Sequence, residues 1–264
     1  MRRNQLGMIY LLSLFSSLLV LFYIIFPIFN TITWTKGDLL LQTLKDRQAM
    51  GSIYLSITAA TLTTIISLVL GVPFAYWLAR KDFKGKSLVE SIINIPVVIP
   101  HPVAGICLLT IVSPYCWFGR ILASLGIEVA GTVLGIVAAM VFVSIPFLIH
   151  TAKDSFANVS PRLEFVARTL GATQSQAFLT VSLPLAKRGI IEGVLMTWAR
   201  AISEFGAVIV LSYHPMIAPT KIYETFLSYG LTSALPLTTI MIILCLVFLF
   251  LARLLTKIKR SPND

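Results

Sequence analysis

An arginine and a glutamate lie close together inside an apolar stretch in the last third of the chain. Arg200 and Glu204 lie four residues apart within the run from 189 to 211. Residues at this spacing share one face of a helix, so the guanidinium and the carboxylate can form an ion pair. Ionisable groups inside an apolar span usually face the interior of a bundle or a water-filled path. Two roles follow for the pair: it fixes the rotation of its helix, or it lines and gates a path.

Residues that break or narrow helices accompany this pair. The further candidate path residues are Pro96, Pro100, Pro102, Ser203, Phe205 and Gly206. Proline removes a backbone hydrogen bond from a helix, and the backbone groups that it frees can face a path. The alternative is a kinked helix with a purely structural role. His101 lies between two of the prolines, and a hydrogen-bonded interior histidine is favoured over a proton relay.

The segment from 151 to 188 is the one long stretch between two apolar runs. Ser160 and Pro161 predict a helix start, because serine caps the first turn and proline is preferred at the first helical position. The apolar side chains predicted to share one face of this helix are Leu163, Val166, Ala167 and Leu170. Gly171 predicts the end of the helix.

A second short helix is predicted after this glycine. Thr173 or Ser175 is its expected cap, and Pro184 is expected to end it. Two short helices joined at a glycine form a compact unit, whose apolar face needs a surface against which to bury. An ordinary amphipathic linker is the alternative.

The composition indicates the class of protein that positions these residues. Of 264 residues, 57% are hydrophobic and 12% are charged, and the mean hydropathy is +0.88. Soluble domains carry about 25% charged residues, so the composition excludes a soluble globule and a disordered chain. We predict an all-α integral membrane protein with a single transmembrane domain over 1–264. Six spans are predicted, at 6–29, 52–80, 88–112, 131–150, 189–211 and 234–255.

The net charge of +10 orients the predicted spans. Of the 21 Lys and Arg residues, fifteen fall on one side of the membrane, five on the other, and Arg200 inside a span. Basic residues concentrate on the cytoplasmic side, so both termini and the segment from 151 to 188 are predicted to be cytoplasmic. The basic charge is therefore explained by the orientation of the spans in the bilayer, and we do not predict nucleic acid as a partner.

The sequence lacks motifs for nucleotide or metal chemistry. It has no Gly-x-x-x-x-Gly-Lys-Ser/Thr run that would hold ATP phosphates, and no His, Cys and carboxylate cluster with metal-ligand spacing. Cys107, Cys116 and Cys245 are far apart in sequence, and packed or inert thiols are the favoured interpretation. We therefore predict a chain that binds no cofactor and is not itself an enzyme.

The segment from 151 to 188 closely resembles the EAA loop of ABC importer permeases. In that family Glu-Ala-Ala is followed by three residues, a glycine, nine residues and Ile-x-Leu-Pro. Here Gly171 and Leu183-Pro184 match at the same spacing, with Val181 in place of Ile. The family's glutamate falls at Phe165, one residue after Glu164.

The resemblance implies the type I ABC importer permease fold and a set of partners. The loop would form coupling helices that dock on a separate ATP-binding subunit dimer, which carries ATP and Mg. A second copy of this chain and an external oxyanion-binding protein would complete the transporter in a prokaryotic cell membrane. The residues implied for the coupling contact are Leu163, Glu164, Val166, Ala167, Leu170, Gly171, Ala172, Phe178, Leu183 and Pro184.

Two further segments resemble the oxyanion branch of these permeases. They are the proline-rich run from 94 to 105 and the Ala-Arg-Ala-Ile-Ser-Glu-Phe-Gly-Ala string from 199 to 207. This resemblance implies import of a tetrahedral oxyanion, with molybdate or tungstate favoured over sulfate. An ion-driven secondary transporter is the alternative from another class. It predicts paired broken helices, whereas the sequence suggests only one broken span.

Overall fold

The computed structural model describes residues 2–257, with side chains for residues 9–254, and these residues form helices and connections without a strand. Lys259 and Arg260, which are predicted to be cytoplasmic, lie outside the described residues. The helices are α1 (Arg2–Trp34), α2 (Gly37–Lys45), α3 (Arg47–Arg80), α4 (Lys86–Val98), α5 (His101–Val112), α6 (Trp117–Ser124), α7 (Val133–Ala157), α8 (Pro161–Thr169), α9 (Gln174–Ala177), α10 (Leu183–Ile202), α11 (Gly206–Leu211), α12 (Ala218–Tyr229) and α13 (Leu231–Lys257). A π-helical turn, Phe178–Ser182, joins α9 to α10.

Four of the described helices are long and apolar enough to cross a membrane. They are α1, α3, α7 and α13, and the bent pair of α4 and α5 makes a fifth span if it is counted as one. The predicted fifth span is divided between α10 and α11, and α10 also carries Lys187, Arg188, Glu192 and Arg200. The prediction of six spans therefore stays a prediction.

Two compact units make up the described chain. One comprises the residues up to 50 together with 222–247. In it α1 carries an apolar surface that is exposed along its spanning part, from Ile9 to Trp34. The hydroxyl groups of Thr35 and Thr239 are 2.7 Å apart, which is one polar contact inside this unit.

The other unit comprises residues 51–221 and those from 248 onward. Its core includes a seam between α7 and α10, where Gly189 and Gly193 form a Gly-x-x-x-Gly pattern. A Cβ atom at Gly193 would lie 2.8 Å from Leu148 Cδ1, and one at Gly189 would lie 2.9 Å from Ser155 Cβ. Small residues at this spacing let two helices approach closely within a membrane. The seam therefore packs α10 directly against α7.

Two helix breaks interrupt this unit, where the sequence suggested one. The axes of α4 and α5 differ by 111°, with the break at Ile99 and Pro100. The second break separates α10 from α11 at residues 203–205. No proline lies at the second break, so the sequence pattern gave no direct signal for it.

The predicted helix start at Pro161 and the glycine stop both occur around α8, whereas the side chain of Ser160 makes no capping hydrogen bond. Pro161 is the first residue of α8, and Gly171 ends it with a φ of +96°. The amide of Ala172 donates to the carbonyl of Ala167, and the amide of Gly171 donates to that of Arg168. This pair of bonds is the Schellman arrangement, which glycine favours because it has no Cβ.

The predicted end of the second short helix is wrong. Thr173 caps α9 in a capping box with Gln176, as its side chain and spacing allow. Pro184, however, lies in the first turn of α10, so the chain stays helical from α9 through the π turn. Proline removes one backbone hydrogen bond from a helix. Here the π turn ends at Ser182, just before Pro184, and this local change in hydrogen bonding lets the helix continue past the proline. The sequence pattern did not reveal this continuity.

Candidate functional site

The first candidate site lies where the two helix breaks meet. Glu204 stands in the second break and is 1% exposed. Its Oε1 accepts a 2.8 Å hydrogen bond from the amide of Ala207, and its Oε2 accepts one of 2.8 Å from Arg200 Nη2. The ion pair expected from the i, i+4 spacing therefore forms, although Glu204 lies beyond the end of α10.

His101 completes this site from the other break. Its Nδ1 lies 2.7 Å from Oε2 of Glu204, and because an ionised carboxylate only accepts, the ring nitrogen is the donor. Arg200 Nη2 lies 2.6 Å from each ring nitrogen of His101. Since Nδ1 donates to Glu204, Nε2 is the nitrogen that accepts from Arg200. We call His101, Arg200 and Glu204 the junction cluster. His101 was interpreted as an interior histidine, and its ion-pair partner is the feature that sequence reasoning missed.

Glycines bring the backbones of the two breaks into contact. A Cβ atom at Gly206 would lie 2.6 Å from the Cβ of His101 and 3.2 Å from the Cδ of Pro102. On the same interface, a Cβ at Gly105 would lie 2.7 Å from the carbonyl oxygen of Ala207. Because neither position has room for a side chain, α5 and α11 pack at the closest distance that a peptide backbone permits.

The structure gathers most of the predicted path residues at this junction. Ser203 accepts a 3.3 Å hydrogen bond from Arg200 Nη1, and Phe205 precedes the first residue of α11. Pro100 precedes α5, and Pro102 lies in its first turn. Pro96 is the exception, since it lies in α4 and lines an apolar groove of about 550 Å³ against α7.

A second site anchors α8 to the unit that carries the junction cluster. Glu164 Oε1 is 2.6 Å from Arg80 Nε, and its Oε2 accepts a 2.9 Å hydrogen bond from the Tyr76 hydroxyl. The Ser182 hydroxyl, at the end of the π turn, also donates to Glu164. Arg80 additionally donates from Nη1 to the carbonyl of Phe156 at 2.7 Å. We call Tyr76, Arg80, Glu164 and Ser182 the α8 anchor.

This environment holds the pKa of Glu164 below its usual value. Burial of the carboxyl disfavours ionisation and on its own would raise the pKa, but the hydrogen bonds from Ser182, Arg80 and Tyr76 outweigh it. A carboxyl whose pKa is lower in the folded state adds stability above its unfolded pKa of about 4.3. That contribution is lost as the pH falls through the lower, folded value.

The outer face of α8 is apolar and exposed. The exposed apolar side chains of this face are Leu163, Phe165, Val166 and Leu170, the last of them 83% exposed. Phe165 was absent from the predicted contact residues. Phe178 points the other way, because its ring packs on Tyr76 at 4.7 Å and on Phe156 at 6.0 Å between ring centroids.

Replacing Glu164 with alanine is expected to release α8 from the anchor. Arg80, 11% exposed, would lose its counter-charge. Breaking a fully buried pair costs about 3–5 kcal/mol, and this part-buried pair is expected to cost less. Hydrogen exchange should show faster opening of α8 in the variant. In the unsubstituted protein the same opening should accelerate as the pH falls below about 4.3.

The control for this experiment is Glu192→Ala, which removes an exposed pair with Arg188 at 3.5 Å. Exposed pairs contribute about 0–1 kcal/mol, so α8 should exchange at its usual rate. Equal exchange of α8 in the two variants would show that Glu164 does not hold the helix.

The sequence carries a weak signal for two members of the α8 anchor that were not predicted. Tyr76 and Arg80 are four residues apart at the end of an apolar span, a spacing that puts them on one face. No pattern connects them with Glu164, since that contact spans 84 residues. Among residues 2–257, no group of three His, Cys, Asp or Glu side chains could hold a metal ion.

Comparison with known proteins identifies the family. Residues 71–260 match the family described as the binding-protein-dependent transport system inner membrane component. The chain belongs to this permease family. The match includes both candidate sites, so the junction cluster and the α8 anchor are parts of the permease region itself.

Similar proteins narrow the position of this permease within the family. The molybdate/tungstate transport system permease protein WtpB of Thermococcus kodakarensis is 42% identical over 256 residues, which are 96% of this chain and 98% of that protein. The sulfate transport system permease protein CysT of Synechococcus elongatus is 36% identical over 200 residues, 74% of this chain and 70% of that protein. Resemblance to the oxyanion branch is therefore confirmed.

Solved structures confirm the fold. A chain of a bacterial ABC transporter involved in the import of the acidic polysaccharide alginate superposes with a TM-score of 0.76 at 16% identity, over 96% of each chain. This permease therefore has the type I ABC importer fold. Its family membership and its similarity to the curated permeases make it the multi-pass membrane component of an ABC importer. At this identity the likeness is one of fold alone.

Proposed function

We propose that this permease translocates a tetrahedral oxyanion, molybdate or tungstate, by alternating access. The observation that carries the proposal is similarity over nearly the whole chain to a molybdate/tungstate permease, at 42% identity. Sulfate is the second candidate, because the sulfate permease is also similar to this chain but over a smaller part of it. An ion-driven secondary transporter is disfavoured by membership of the ABC importer family.

In the proposed transporter each permease chain contributes one transmembrane domain. Two copies of the permease form the path, an ATPase dimer supplies the energy, and an external binding protein delivers the oxyanion. The two termini and α8 lie on the cytoplasmic side, as the distribution of basic residues supports. The chain supplies no phosphate-binding motif, so ATP and Mg are held by the partner subunit.

The two candidate sites take separate roles in this proposal. The junction cluster and the prolines and small residues around it line and gate the path between the broken helices. The exposed face of α8 docks on the ATPase, while the α8 anchor passes the movement to α3 and, through the π turn, to α10. Support for this division comes from the exposure of Leu170 and the burial of Glu204, which are 83% and 1% exposed.

Uptake by the complete importer in liposomes tests the proposal. Labelled molybdate should enter only with ATP and with the binding protein, and excess unlabelled tungstate should compete more strongly than sulfate. Stronger competition by sulfate would assign the permease to sulfate. Absence of ATP-dependent uptake for all three anions would reject the proposed function.

Replacing Leu170 with aspartate is expected to separate the ATPase from the permease. A hot-spot side chain at an interface contributes about 2 kcal/mol or more, so if Leu170 anchors the contact, binding should weaken by about thirtyfold. Because the side chain is 83% exposed, the permease should keep its melting temperature. Sedimentation or pull-down of the purified subunits measures the binding.

Leu125→Asp is the matched control, since Leu125 is 67% exposed and lies at the end of α6. It should bind the ATPase as the unsubstituted chain does. Unchanged binding by the Leu170 variant would remove α8 from the docking surface.

A further inference from the structure

The charges of the junction cluster are not equally accessible. Glu204 is 1% exposed, whereas the side chain of Arg200 is 21% exposed and that of His101 is 36% exposed. A species that approaches this cluster therefore meets the guanidinium and the imidazole, while the carboxylate lies behind them.

The bonding of the cluster reinforces this asymmetry. Both oxygens of Glu204 already accept hydrogen bonds, from Ala207, Arg200 and His101. Arg200 uses Nη2 for these inward contacts, and its Nη1 reaches only the hydroxyl of Ser203, at 3.3 Å. A guanidinium has five N–H donors in a planar fork, so the outward edge of Arg200 retains donors for another acceptor. Ser203 is exposed, which places this edge on the open side of the cluster.

The surroundings restrict what the open side can face. Charged side chains within a membrane region face the interior of a bundle or a water-filled cavity, because contact with lipid tails is too costly. Broken helices at membrane depth are tolerated under the same condition. The junction of α5, α10 and α11 has both features, a charged cluster and broken helices. Under the proposed function its open side therefore faces the path and not the lipid.

We propose that Arg200 makes a direct, transient contact with the oxyanion as it passes the junction, with His101 and Glu204 as positioning residues. The inference rests on the proposed function and specifies its site. The tetrahedral dianion accepts from the outward edge of the guanidinium, and the buried carboxylate keeps that edge oriented. Because Glu204 neutralises most of the charge of Arg200, the contact is weak, which permits release toward the next position.

Chemical labelling of a cysteine beside Arg200 tests this contact without requiring transport. In the complete importer, Cys107, Cys116 and Cys245 are replaced by alanine and Ser203 by cysteine, which leaves the junction cluster in place. An anionic methanethiosulfonate should label this cysteine faster than an uncharged one. Millimolar tungstate should slow the anionic reaction, and equal chloride should not.

Substitution of Arg200 separates a direct contact from a structural role. Arg200→Lys should retain both the preference for the anionic reagent and its slowing by tungstate. Arg200→Gln should lower the preference by about tenfold, because the carboxylate of Glu204 is then without its paired guanidinium, and should lose the slowing by tungstate. A cysteine in place of Ser124, which is exposed at the end of α6, is the control and should show no protection by tungstate.

Each outcome decides between the two proposals. Labelling at 203 that ignores tungstate, or that is the same with lysine and glutamine at position 200, overturns the contact even if the unsubstituted importer transports molybdate. Failure of uptake with protection intact rejects the proposed transport cycle and keeps an anion contact at Arg200.

Discussion

Replacing Glu204 with alanine is expected to destabilise the permease by about 3–5 kcal/mol and to abolish uptake. The side chain is 1% exposed and accepts three hydrogen bonds. Its removal would leave Arg200 without its counter-charge and the amide of Ala207 without its acceptor. The cost is that of an uncompensated buried charge, which exceeds the value of the pair itself.

Thermal unfolding in lipid nanodiscs, together with uptake in liposomes, measures both effects. Glu204→Gln should fall between the alanine variant and the unsubstituted protein, because an amide oxygen still accepts hydrogen bonds but carries no charge. Glu192→Ala is the control, since its pair with Arg188 is exposed. A Glu204→Ala variant that melted at the usual temperature and transported normally would show that the junction cluster is dispensable.

Replacing Gly206 with valine is expected to separate the two helix breaks. The added Cβ would lie 2.6 Å from the Cβ of His101 and 3.2 Å from the Cδ of Pro102. Neither atom can rotate away, because a Cβ is fixed by its backbone and Pro102 is held in its ring. Overpacking of this kind costs about 1–3 kcal/mol, and the displacement of His101 should also stop uptake.

Gly206→Ala, Gly206→Val and Gly51→Ala form the series for this test. Gly51 lies within α3 and a Cβ there would meet nothing within 4 Å, so its variant should melt and transport normally. Melting temperature should decrease from the alanine to the valine variant at 206. Full activity of Gly206→Val would contradict the close contact of α5 with α11.

Local patterns predicted the parts of the structure that local physics determines. Pro161 starts α8, Gly171 ends it and Thr173 caps α9, because each effect depends on one turn of backbone. The predicted cap by Ser160 does not form. Pro184 was misassigned since the same residue suits the end of one helix and the first turn of the next. The π turn places Pro184 at the start of α10, and no simple sequence pattern indicates such a turn.

Contacts between distant segments could not be predicted from the same patterns. His101 and Glu204 are separated by 103 residues, and Arg80 and Glu164 by 84. Spacing within a helix indicated the pair of Arg200 and Glu204, but it could not supply the third member from another helix. The second break lacks a proline. It is accompanied by the close packing of α11 on α5 and by the hydrogen bond from the amide of Ala207 to Glu204.

The length of α3 links the α8 anchor to the thickness of the lipid bilayer. At 34 residues this helix is about 50 Å long, whereas the hydrocarbon layer measures about 30 Å. A helix that exceeds the layer adjusts by tilting, and a thinner layer requires a larger tilt. Arg80 is the last residue of α3, so tilting moves the guanidinium that holds Glu164. We therefore expect acyl-chain length to act on the position of α8 through the α8 anchor, because Tyr76 and Arg80 of α3 both contact Glu164.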